Sequence, residues 1–201
     1  MLGGALRRIA TGYRDARREP FHGHPMLGFV RRTAPAAVAS ALQDRRGRVV
    51  RGGAGWQGWA AVPWVAVFET AVTRSAKRGH YVVYLFHGFE PRFYLALVHG
   101  TVAVRDRFGD GTRDELRRRA GLIRAALPDA ARRFPLPEAS LGGIGALPLD
   151  YEAAVAFGRA YDARGLPDEA ALQADLNALA DAARDLARMG GVPALSGPGE
   201  T

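Results

Sequence analysis

Cysteine is absent from the 201 residues, and lysine occurs once, at Lys77. The first absence excludes disulfides, thiolate zinc sites and every mechanism that needs a sulfur nucleophile. The second excludes a Walker-type phosphate loop, because that loop sets its lysine between glycine and Ser/Thr, whereas Lys77 stands in Ser75-Ala76-Lys77-Arg78. No apolar run reaches the ~18 residues a membrane helix needs. The opening stretch MLGGALRRIATGYRDARREP also lacks the apolar core of a secretory signal. A cytoplasmic protein without a membrane partner is the expectation.

What is present is positive charge. The net charge is +8 and the isoelectric point near 10.7, and 27 of the 28 basic residues are arginine. GC-rich coding produces the same skew toward arginine, but an excess of this size on one domain still points to a polyanionic partner. The length suits one domain of ordinary size. We expect it to span residues 1–189, with residues 190–201, rich in Gly and Pro, as a flexible tail or linker.

Periodicity changes along the chain. Residues 1–44 carry helical spacing around Leu6, Ile9 and Tyr13 and, after the Pro20 to Pro25 break, a second run to about Leu42 that contains Pro35. Four segments rich in β-branched and aromatic residues follow: 48–51, 64–68, 81–86 and 93–98. Residues 112–127 return to a helical stripe. The Pro/Gly-rich passage 128–148 has a candidate edge strand at 144–149, and two further helices are expected at 151–161 and 168–189, the last capped by Asp168. The fold class is α+β, a central, mainly antiparallel sheet flanked by N-terminal and C-terminal helices.

Gly53-Ala54-Gly55-Trp56-Gln57-Gly58 fits G-x-G-x-x-G, but a dinucleotide fingerprint must open a helix. Here Pro63 and the strand-like WVAVF follow. The glycines instead suit a loop able to approach another surface closely. Trp56, with glycines around it and no large apolar neighbour two residues away, is hard to bury, and an exposed aromatic on such a loop can wedge between bases or stack on one. Trp59 borders a strand and reads as core; Trp64 follows Pro63. All three tryptophans being core is the plain alternative.

Arg74, Lys77 and Arg78, with Thr73 and Ser75, form a basic connection expected beside the tryptophan loop, either solvated or donating to phosphates. His22 and His24 lack a third ligand. His80, His87 and His99 have no nucleophile or carboxylate grouped with them, and Asp110, Asp114, Glu115, Asp150 and Glu152 read as turn or helix-start residues. No catalytic site, metal or cofactor is expected.

The string GAGWQGWAAVPWVAVFETAVTRSAKRGHYVVYLF, continued by FYLALVHGT, resembles the N-terminal DNA-binding domain of McrB-type, modification-dependent (type IV) restriction systems. The likeness is specific over Gly53 to Thr101 and looser in YEAAVAFGRAY and LPDEAALQADL. It implies a non-catalytic domain that binds double-stranded DNA, turns a modified cytosine out of the helix and holds it in an aromatic pocket. An AAA+ GTPase motor and a nuclease, in the same or a partner chain, would complete the system. Carried to this chain, the resemblance makes Trp64, Tyr81 and Leu85 the base pocket and Trp56 the wedge, where the family prototype has tyrosine. Arg51, Gln57, Arg74, Lys77 and Arg78 become the candidates for phosphate contact. An adaptor of the same fold that binds protein through its aromatic surface is the alternative. Which modification and flanking base are read, whether the chain is a complete protein, and its oligomeric state and partners are open at this point.

Overall fold

The computed structural model describes residues 1–136 and 138–195. Strands form where β-branched and aromatic residues crowd: β1 (Arg48–Gly55), β2 (Trp59–Glu69), β3 (His80–Phe86), β4 (Arg92–His99) and β5 (Val155–Asp162). They pair in the order β1-β2-β3-β4-β5, antiparallel throughout. The central strands are buried on both faces, so they read as continuous apolar runs rather than alternating ones. One face, with Val65, Val67, Tyr84, Phe93 and Leu95, packs against α1 (Leu2–Ala16), α3 (Ala34–Ala41) and α8 (Glu169–Arg188). The other, with Ala66, Phe68, Tyr81, Leu85 and Tyr94, lies under α4 (Val102–Phe108), α5 (Thr112–Ala126) and α7 (Ala146–Ala153). The α+β class and the flanking helices are as the sequence reads.

Two helices on the first face are joined through their ends. The Glu169 carboxylate, in the first turn of α8, accepts the amide N–H groups of Leu2 and Gly3, which a helix start leaves without partners. Asp168 caps α8 as expected, accepting from the Ala171 amide at 2.7 Å. In the second helical run, α2 (Pro25–Gly28) passes through a π-helical turn (Phe29–Thr33) into α3. Pro35 therefore does not split the run. It sits in the first turn of α3, where its missing N–H costs little, and the wide turn before it absorbs the ring.

The segment 144–161 departs from expectation. Residues 146–153 are helical, not an edge strand, and 155–162 are strand, not helix. Val155, Phe157 and Tyr161 are apolar with the alanines between them, a pattern compatible with either period. The deciding factor is tertiary, since β4 would otherwise carry an unpaired row of backbone groups. Gly158 permits the pairing, because a Cβ there would lie 2.5 Å from the Leu95 carbonyl. Asp150 accordingly does not start a helix: it is fully buried in the middle of α7, where Arg105 and Arg113 pair with it. The helices α4 and α6 (Pro128–Arg133) are additional to the sequence reading. Part of the expected tail is ordered as well. Residues Gly191–Leu195 form α9, with Val192 buried, and residues 196–201 lie outside the described residues.

Candidate functional site

The β1–β2 hairpin reaches past the rest of the sheet. β2 pairs with β3 only over Trp64 to Val67, which leaves Trp59 to Pro63 and their β1 partners projecting by about 16 Å at ~3.3 Å per residue. Its turn demands glycine: Gly55 has φ +110°, and a Cβ there would lie 1.8 Å from the Gly58 carbonyl. Trp56 stands at the tip, 83% exposed, with Gln57 beside it.

Trp59 explains why the arm is firm. Its indole N–H donates to the Glu19 carbonyl at 2.9 Å, and its ring meets Tyr13, Phe21 and His24 edge-on with centroids 5.1 to 5.4 Å apart. The Tyr13 hydroxyl lies 3.0 Å from the carbonyls of both Ala54 and Ala60, tying α1 to both strands of the hairpin. Trp59 packs against the core as the sequence reads, three residues from an exposed tryptophan.

Trp64, Leu85 and Tyr81 share one face of the sheet. Trp64 is half-buried and lies flat over Gly53, its register partner in β1, where any Cβ would sit 2.5 Å from the indole. Leu85, its partner in β3, is fully buried. Tyr81 stands one ring further back, behind Phe68, whose centroid is 6.5 Å from Trp64 and 5.0 Å from Tyr81. The Tyr81 hydroxyl donates to the Ala76 carbonyl at 3.0 Å and borders that of Tyr151, and burial pushes its pKa well above the ordinary tyrosine value. Of the three, only Trp64 is open to solvent.

The basic connection does not lie beside the tryptophan turn. In an antiparallel meander consecutive turns alternate ends, and β2 carries Trp59 at one end and Glu69 at the other. Residues 70–79 are therefore about 35 Å from Trp56, eleven residues of strand at ~3.3 Å each. This connection is tightly knotted. The Thr73 hydroxyl bonds Ser75 in both directions, the Ser75 hydroxyl accepts from the Lys77 amide, and the Ala103 amide donates to the Lys77 carbonyl. Arg74, Lys77 and Arg78 point outward from it.

Other cations surround the hairpin arm. Arg51 is exposed on β1, on the same face as Trp64. Arg31 donates to the Gly55 carbonyl at 2.7 Å, Arg17 reaches the Ala61 carbonyl and covers Phe89, and Arg8 covers Phe29 at 4.2 Å. The motifs give no hint of Arg8, Arg17, Arg31 or Arg32, but a charge count by segment finds them. Residues 1–51 hold eleven arginines against Asp15, Glu19 and Asp44, a net +8, whereas residues 102–201 hold thirteen against fifteen carboxylates. The whole net charge of the chain thus resides in its first quarter.

His24, His80 and His99 are held by the backbone. His24 caps α2, accepting from the Met26 amide. His80 and His99 are register partners in β3 and β4, bonded to the carbonyls of Ala183 and Gly100, and border a cavity of about 410 Å³ with Arg119 and Gly191. Burial, then the Arg119 guanidinium, lowers the His99 pKa to about 4.

The family model described as MrcB-like, N-terminal domain matches residues 8–188. No curated protein and no solved structure matches the chain.

Proposed function

The chain belongs to the MrcB-like N-terminal domain family, and from that premise we propose that it is a non-catalytic DNA-binding module that reads modified cytosine by base flipping. It would target a type IV restriction system whose GTPase motor and nuclease lie elsewhere. The observation that carries this reading is Trp56, a large aromatic 83% exposed at the tip of a braced, projecting hairpin. Burial of both Trp56 and Trp64 would have favoured the adaptor alternative; Trp56 is exposed and Trp64 half-buried.

In this reading Trp56 enters the duplex and fills the space the base vacates, and the base stacks on Trp64. Unpairing and unstacking a nucleotide costs a few kcal/mol. Stacking on an aromatic returns about 1 to 3 kcal/mol per base, so wedge and wall together offset most of the cost. Leu85 and Tyr81 lie behind Trp64, and a base reaches them only when the cover on that face, including Leu141 and Tyr151, moves aside. Gln57 stands beside Trp56 to meet an adjacent phosphate, and Arg51, about 16 Å back along β1 on the Trp64 face, would meet one further along the backbone. Arg74, Lys77 and Arg78 would meet duplex only about ten base pairs away.

Burying one methyl group contributes about 1 kcal/mol, and pocket shape raises discrimination to about tenfold to a hundredfold. Titration of matched duplexes containing cytosine, 5-methylcytosine or 5-hydroxymethylcytosine tests the reading, which equal affinity for all three across a salt series would sink. Trp64→Ala is expected to abolish the preference and leave non-specific binding in place.

A further inference from the structure

Resting on the DNA-binding reading above, we propose that the duplex backbone flanking the flipped base is gripped by Arg8, Arg17, Arg31 and Arg32, on α1 and the π-helical turn. The Arg74, Lys77, Arg78 connection takes no part in that grip. Among the described residues none of these four arginines forms an ion pair with a carboxylate, whereas Arg48, Arg105, Arg119, Arg159 and Arg184 all do. Charge without a carboxylate partner is the first condition, which Arg74, Lys77 and Arg78 also meet among the described residues, so position decides between the two sets.

Position favours the N-terminal set. Arg31 holds the carbonyl of Gly55, the residue before Trp56, with one of the five N–H groups a guanidinium carries, and the side chain is exposed. Arg17 is fixed between the Ala61 carbonyl and the Phe89 ring, whose centroid lies 5.9 Å from its guanidinium carbon. Arg8 rests on Phe29, and Arg32 folds back over Gly28 in the same run. Anchored guanidinium groups lose little rotamer freedom on meeting a phosphate. Phosphates beside an inserted wedge lie within about 10 Å of it, the scale of the grooves. The far connection is about 35 Å away and cannot reach them.

The test is the salt dependence of binding to a duplex of about 12 base pairs centred on 5-methylcytosine, too short to reach the far end. Each phosphate contact contributes about 0.9 to the slope of log K against log salt. The triple variant Arg17→Gln, Arg31→Gln, Arg32→Gln is expected to flatten the slope by about 2.7, and Arg74→Gln, Lys77→Gln, Arg78→Gln to leave it unchanged. If the triple variant unfolds, Arg8→Gln with Arg32→Gln, exposed side chains that bridge no strands, is expected to flatten it by about 1.8. An unchanged slope in the N-terminal variants, or a flattened one in the far-end variant, overturns the proposal while leaving the DNA-binding reading intact. A wild-type chain that binds neither modified nor unmodified duplex overturns both.

Discussion

The two ends of the sheet use arginine differently. At the end where β1 begins, Arg48 is 1% exposed and bonds the carboxylates of Glu69 and Asp181 together with the carbonyls of Asp44 and Ala180. Arg184 joins the same network through Asp44 and Glu69, and holds the Asp44 carboxyl well below the usual carboxylate range. At the hairpin end, Arg17 and Arg31 bond only carbonyls. A carbonyl fixes a guanidinium without neutralising it, so Arg48 and Arg184 convert their charge into tertiary structure, whereas Arg17 and Arg31 are held in place with their charge unneutralised. Formal charge alone does not distinguish the two, because a paired and an unpaired arginine count the same.

Removing the ionic clamp should have the largest effect. Arg48→Ala leaves Glu69, 8% exposed, with only Arg184 beside it, and is expected to lower the unfolding free energy by about 3 to 5 kcal/mol in urea titrations. A loss below about 1 kcal/mol would place the clamp among ordinary surface pairs. The hairpin has its own structural centre, so the next effect falls there. Trp59→Ala removes the ring shared by Tyr13, Phe21 and His24 and is expected to cost about 3 kcal/mol. Wild-type stability in that variant would show that the arm is braced by its backbone alone.

The contrast also explains what could be read from the sequence. The first four strands were legible because runs such as Tyr81-Val82-Val83-Tyr84-Leu85-Phe86 are short, rich in β-branched and aromatic residues and bounded by turn residues. Exposure of Trp56 was legible from its glycine neighbours. The fifth strand was not, because Val155-Ala156-Phe157-Gly158 fits two periods and only the open edge of β4 selects one. The connection 74–78 lies at the far end of the sheet from the tryptophan turn, not beside it, for a simpler reason: nearness in sequence across a strand means separation by the length of that strand. Partner choice among arginines lies in tertiary geometry, as does the depth of Tyr81 behind Phe68.

Acid should weaken the clamped end selectively. His99 is buried and neutral, with a pKa lowered to about 4 by burial and Arg119, while the unfolded chain titrates near the ordinary value of 6.5. Between those values the unfolded state binds more protons, so stability falls as pH falls through 6.5 and the loss is complete below about 4. About 2 kcal/mol should disappear between pH 7 and pH 5. Substituting His99→Gln keeps an acceptor for Arg119 and should flatten that part of the stability profile; an unchanged slope would assign the pH dependence to other groups.

The smallest effect on stability should accompany the sharpest effect on function. Trp56 makes no ring contact among the described residues and is 83% exposed, so Trp56→Ala removes surface already in water. Its unfolding free energy should stay within about 0.5 kcal/mol of wild type. If the tryptophan fills the gap left by a flipped base, the same substitution should weaken binding to a 5-methylcytosine duplex by about 1 to 3 kcal/mol, the worth of one stacked aromatic. Trp56→Tyr, the residue of the family prototype, should recover much of that loss. A fluorescent base analogue at the target position separates the two components, because its signal reports unstacking independently of affinity. Affinity lost without loss of the unstacking signal would make Trp56 a surface contact, and would move the flipping step to Trp64. Stability lost in parallel with binding would instead return Trp56 to the role of its neighbour Trp59, and erase the division of the hairpin into a brace and a tip.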